Sequence, residues 1–192
     1  MLKISQRLIF VEGGVFLQDL KGKEIRRYPR RHFLEGSHYL VTNYLLGEIS
    51  GNLLIEIYVP IEVVVKFEAQ INANVPGAKA YATAPGAEAY ATADGAIVFA
   101  TADEAFACAN VLGAEAYATV DRAIVCASAR GAKAYANVKG AIAHAAVLGA
   151  EAYAIVDGAE AYANASGAKA YAIASGAEAY ANTSGALVIQ LS

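Results

Sequence analysis

The sequence predicts an all-β protein, a two-sided parallel β-solenoid of 18 residues per coil with an N-terminal β-rich cap. Three observations carry this. Residues 77–192 are thirteen successive copies of a nine-residue unit, among them GAKAYATAP from Gly77, GAEAYATAD from Gly86 and GAEAYANAS from Gly158, the last copy being one residue short. Within the unit, positions 2, 4, 6 and 8 are small and apolar, whereas 3, 5 and 7 are typically Glu or Lys, then Tyr, then Thr or Asn. That alternation is the strand period. Finally, residues that depart from the consensus recur 18 apart.

Alanine favours helix, so the helical reading must be excluded. Glycine opens eleven of the thirteen copies, leaving runs too short for isolated helices. On a helix, alanines at every second position would also spread over all sides and form no stripe. Dipeptides such as Pro76-Gly77, Asp94-Gly95 and Ser166-Gly167 mark turns between the strands. Strand plus turn, repeated, is compatible with a solenoid or an up-and-down meander of hairpins. The exceptions favour an 18-residue coil over the meander and over a three-sided coil of 27. At that period one column reads Glu115, Lys133, Glu151, Lys169, with alternating charge, beside Tyr81, Phe99, Tyr117, Tyr135, Tyr153 and Tyr171. On the other side Phe106 and Cys108, Ile124 and Cys126, and Ile142 and His144 fall on three successive coils. Stacked rings add about 0.5–1.5 kcal/mol per pair, so the tyrosine ladder is a stabiliser before it is a binding surface.

At the start of the chain, residues 4–11 and 15–20 read as a hairpin about Glu12-Gly13-Gly14, followed by a turn at Lys21-Gly22-Lys23. Residues 21–31, KGKEIRRYPRR, hold six basic side chains against one acidic. Arg26, Arg27, Arg30 and Arg31 are the candidates for gripping phosphate; the plainer reading is a solvated hairpin that discourages edge pairing. Residues 32–50 are readable as short helix or irregular strand. Over residues 61–75, Ile61, Val63, Val65, Phe67, Ala69, Ile71, Ala73 and Val75 face one way. The chain therefore divides into a cap, 1–67, and a solenoid, 68–192, since a solenoid needs its first rung covered. At the far end Leu187, Val188, Ile189 and Leu191 replace small residues, either closing the last coil or leaving an apolar edge.

Net charge is −3 and charged residues are 17%, below the usual quarter, so neither nucleic acid nor an anionic membrane is implied as a partner. Two cysteines make no disulfide framework. No signal-peptide core opens the sequence and no apolar stretch is long enough to span a bilayer, which points to a cytoplasmic or virion setting.

Cys108, Cys126 and His144 all occupy position 5, 18 residues apart. Thiolate and imidazole suit zinc, but three groups in a straight column need a fourth ligand, and their neighbours Phe106, Ile124 and Ile142 are apolar. These six residues read best as an interface, with no metal or cofactor expected. A Cys–His pair also lacks the third group that would orient it for catalysis. Cys108 and Cys126 are close enough in this register for a disulfide. No phosphate-cradling glycine motif and no carboxylate pair stands out.

The GAxAYA units resemble the short-repeat alanine- and glycine-rich β-solenoids of bacterial and phage proteins. The resemblance covers residues 77–192 and implies a structural or adhesive element. Ice-binding solenoids also carry regular outward ladders, but this repeat places Glu or Lys where an uncharged Thr lattice would be needed. The expectation is a non-enzymatic, rigid module that self-associates, a dimer being favoured. The alternative is a module that binds a glycan, polymer or similar repetitive ligand along Tyr81, Tyr117, Tyr135, Tyr153 and Tyr171.

Overall fold

The computed structural model describes residues 4–12, 14–29, 38–41 and 52–191, and every element among them is a β-strand. The N-terminal part supplies β1 (Ile4–Val11), β2 (Gly14–Asp19), β3 (Glu24–Pro29), β4 (His38–Val41), β5 (Asn52–Ile57), β6 (Glu62–Val65) and β7 (Ala69–Ala73). Each repeat then gives one strand at its positions 3 to 6. These are β8 (Lys79–Ala82), β9 (Glu88–Ala91), β10 (Ile97–Ala100), β11 (Phe106–Ala109), β12 (Glu115–Ala118) and β13 (Ile124–Ala127). They continue as β14 (Lys133–Ala136), β15 (Ile142–Ala145), β16 (Glu151–Ala154), β17 (Glu160–Ala163), β18 (Lys169–Ala172), β19 (Glu178–Ala181) and β20 (Leu187–Gln190).

Consecutive strands lie in opposite sheets. Sheet A runs β19-β17-β15-β13-β11-β9-β7-β5-β1-β2-β3, and sheet B runs β20-β18-β16-β14-β12-β10-β8-β6-β4. Within the repeats every neighbouring pair is parallel and in register at 18 residues: Glu115 faces Lys133 and Lys133 faces Glu151, while Cys108 faces Cys126 and Cys126 faces His144. The fold is thus the two-sided solenoid; hairpins between consecutive copies, and a third side, are absent from the described residues.

The corners explain the ninefold period. The position 2 amide donates to the carbonyl of position 8, as from Ala78 to Val75 (3.2 Å) and from Ala141 to Val138 (3.1 Å). Position 1 is the third residue of this turn, and its φ is positive, +76° at Gly77 and +72° at Gly167. That is the type II turn, which asks for glycine there. A second constraint acts at Gly158, where a Cβ would lie 2.9 Å from the Lys139 Cγ of the preceding rung. Glu104 and Arg122 replace the glycine yet keep positive φ, at 59° and 60°. They sit one rung apart and pair with each other (2.5 Å), Arg122 also reaching Asp103 (3.3 Å).

Alanines at positions 2, 4 and 6 are fully buried along most of the stack. Position 8 is only partly buried, because the chain is already turning there. Each alanine methyl returns just ~0.8 kcal/mol on burial. What small side chains allow is close approach of the two sheets and an unbroken ladder of backbone hydrogen bonds. That ladder crosses some corners too: Gly131 donates to the Gly149 carbonyl (3.0 Å) and Gly140 to that of Gly158 (2.9 Å).

Towards the N-terminus the core side chains grow, through Ile71, Val63, Val65, Leu53, Ile55 and Ile57 to Phe10 and Leu8. β1 continues sheet A parallel to β5, and β2 and β3 fold back antiparallel beside it. The alternation of residues 61–75 is real but spans two sheets: β6 belongs to B, β7 to A, and the corner between them keeps the inward phase. Of residues 32–50, only β4 is described, as a strand parallel to β6; the others, with Arg30 and Arg31, lie outside the described residues. At the opposite end β19 and β20 are the last strands of their sheets, and Leu187, Val188 and Leu191 are exposed.

Candidate functional site

Sheet B carries a column of charge beside a column of rings. Tyr81, Phe99, Tyr117, Tyr135, Tyr153 and Tyr171 stack with centroids 4.4 to 5.2 Å apart and planes within 19° of parallel. The charges beside them include Glu151, whose Oε1 lies 3.4 Å from the Lys169 Nζ. Tyr117 donates to Glu115 (2.5 Å) and Tyr153 to Glu151 (2.5 Å). Burial, together with the Glu115 and Glu151 carboxylates, pushes the Tyr135 phenol up to about 12. On sheet A the hydrogen bond to Glu160, and then burial, push Tyr162 up to about 12 as well. Tyr135 and Tyr162 therefore stay neutral, the ring faces within each column are turned on one another, and several hydroxyls are already committed. A sugar approaching this column meets ring edges.

Sheet A is interrupted. At position 3, Glu88 gives way to Phe106, Ile124 and Ile142 on three neighbouring strands before Glu160 resumes; at position 5, Tyr90 gives way to Cys108, Cys126 and His144 before Tyr162. All six residues expected to cluster are brought together. Ile124, at the centre, is 38% exposed; Phe106 and Ile142 are half-buried and Cys108 is buried. Leu112 and Leu148, at the corners that leave β11 and β15, are also apolar and 62% and 60% exposed. Sequence reasoning missed these two leucines, although each replaces the usual Asp, Ser or Pro of position 9 on a rung that is already exceptional.

The polar atoms of the patch are paired locally. The Ser128 Oγ lies 2.9 Å from the Cys126 Sγ and 3.1 Å from the Cys108 Sγ. His144 turns the other way: its Nδ1 is 3.1 Å from the Asn164 Nδ2, and its ring rests on Tyr162 with centroids 5.1 Å apart. Burial lowers the His144 pKa, with the Glu160 carboxylate opposing. The straight column is therefore split into a thiol pair and an imidazole that leans onto the next rung. Among the described residues, no group of three or more His, Cys, Asp or Glu side chains is arranged to hold a metal ion.

In the N-terminal part, Arg26 and Arg27 lie on β3 and are exposed. Arg27 is engaged locally, its guanidinium 4.7 Å over the Phe16 ring and 3.1 Å from Glu24. No helix among the described residues is long and apolar enough to cross a membrane.

The architecture defines a β-solenoid. No family model, curated protein or solved structure matches the chain.

Proposed function

We propose that the chain is a rigid, non-enzymatic β-solenoid module that self-associates through the apolar patch of sheet A as a two-fold homodimer. The observation that carries this reading is the alignment of Phe106, Ile124 and Ile142 on three adjacent strands of a face otherwise lined by Glu and Tyr. Contiguous exposed apolar area on a protein surface marks an interaction site, and such a patch is most simply covered by its own copy about a two-fold axis. The stacking of the tyrosine rings face to face along their column supports this reading over the glycan-binding alternative. So does the short-repeat solenoid resemblance, which suggests a structural or adhesive role; the sequence patterns of signal and span point to a cytoplasmic or virion-associated setting.

The experiment is sedimentation equilibrium on wild type and Ile124→Glu. Glutamate is the consensus residue at this position, so the variant keeps its β-rich circular dichroism. The expected outcome is an oligomer for wild type and a monomer for the variant. A wild-type monomer at high concentration would sink the proposal.

A further inference from the structure

We propose that Cys108 and Cys126 form a redox-active dithiol site that takes a low-molecular-weight disulfide of the glutathione type as substrate and closes a cystine across two neighbouring rungs. The chain has two cysteines, and they are register partners on β11 and β13. Strands stack at about 4.8 Å, inside the Cα separation a cystine requires, roughly 4.4–6.8 Å. The side chains point at the same spot, since both sulfurs lie within hydrogen-bond distance of the Ser128 hydroxyl.

The two thiols are not equivalent. Cys108 is 4% exposed, whereas Cys126 is half-buried and reachable. The Cys108 thiol alongside lowers the Cys126 pKa against the opposing effect of burial, and the Ser128 hydroxyl lowers it further. The same pairing, followed by burial, raises Cys108. This makes Cys126 the attacking group, because the thiolate is the nucleophile. Its sulfur attacks one sulfur of the small disulfide, the S–S bond breaks, and one thiolate leaves. A mixed disulfide on Cys126 results. Cys108 then attacks the Cys126 Sγ, and the second small thiolate departs and takes the Cys108 proton, the first having taken the proton that Cys126 gave up. The two cysteines lose two electrons and the small disulfide gains them, yielding one cystine and two small thiols.

The bond formed is an exchangeable one. Cβ atoms on neighbouring in-register strands also start about 4.8 Å apart, beyond the roughly 3.5–4.5 Å of a relaxed cystine, so closure draws the rungs together. Strain of this kind makes a cystine easier to reduce than a structural staple. His144 takes no part, being turned to Asn164 and Tyr162.

This inference goes beyond self-association and does not rest on it. The test exposes full-length wild type and Ile124→Glu to glutathione disulfide, then counts free thiols by alkylation and maps the cross-link by mass spectrometry. Ile124→Glu is expected to lose two thiols together and to show a Cys108–Cys126 link without a lasting glutathione adduct, and wild type to do the same more slowly, since the proposed interface covers Cys126. Cys108→Ser is expected to hold glutathione on Cys126, and Cys126→Ser to react at least ~10-fold more slowly, having lost the favoured thiolate. Reaction in Ile124→Glu alone still supports the dithiol, with a second copy covering it in wild type. A lasting glutathione adduct on wild type, a cystine between two chains, or intact thiols in both proteins would overturn the proposal. Sedimentation of the same samples reads self-association separately.

Discussion

His144 shows how much one substitution changes within a column. It stands where tyrosine is usual, and its imidazole is packed on Tyr162. Because burial holds its pKa below the ordinary value, the unfolded chain binds the proton more readily than the folded one. Stability is then complete above about pH 6.5 and is lost as pH falls through that value towards the folded pKa. His144→Tyr, which restores the consensus, is expected to flatten this part of the profile. Thermal melts of both proteins from about pH 7.5 to about pH 5 check it, since imidazole titrates inside that window. A wild-type slope that survives in the variant would assign the dependence to other groups. The position of His144 was legible from the 18-residue spacing; the direction of its ring was not, because Asn164 and Tyr162 compete with Cys126 for it one rung away. The same limit hid Ser128. Position 7 is polar in most copies, and nothing in the linear pattern says that its hydroxyl sits against two sulfurs. The Glu104 and Arg122 pair was more accessible: the two exceptions to glycine at position 1 carry opposite charges and stand 18 residues apart.

At the scale of the strand, the alternation determined which side chains go inside. Ala134 in β14 is fully buried between the sheets, and Lys133 beside it points outward. Ala134→Leu is expected to lose about 1–3 kcal/mol through overpacking. Lys133→Leu should stay within about 0.5 kcal/mol, as surface changes do. Denaturant melts of the two variants measure this, and equal losses would mean that the faces are reversed. The pattern was less informative at corners. Position 8 alternates like an interior residue but is only half-buried, because the type II turn rotates it away before the next strand begins. For the same reason the run from Ile61 to Val75 reads as one strand although it crosses from sheet B to sheet A. Three residues, Lys66, Phe67 and Glu68, turn the corner without disturbing the phase.

Over the whole molecule, the coil is built from two units that the core does not distinguish, since either sheet accepts a strand with alanine at positions 4 and 6. The outer faces do distinguish them. This gives the chain something like a reading frame, with nine residues as its letter and eighteen as its word. Deleting residues 131–139 removes β14, so that β15, with Ile142 and His144, shifts from sheet A to sheet B and stacks over Glu115 and Tyr117. Deleting residues 158–175 removes β17 and β18 and leaves every surviving strand on its own face. Both variants are expected to fold, as circular dichroism would show; on the self-association proposed for sheet A, only the second should still sediment as an oligomer. A nine-residue deletion that left association intact would place the contact elsewhere. Duplication or loss of one unit in such a sequence is therefore a change of surface at constant fold, whereas gain or loss of two is a change of length at constant surface.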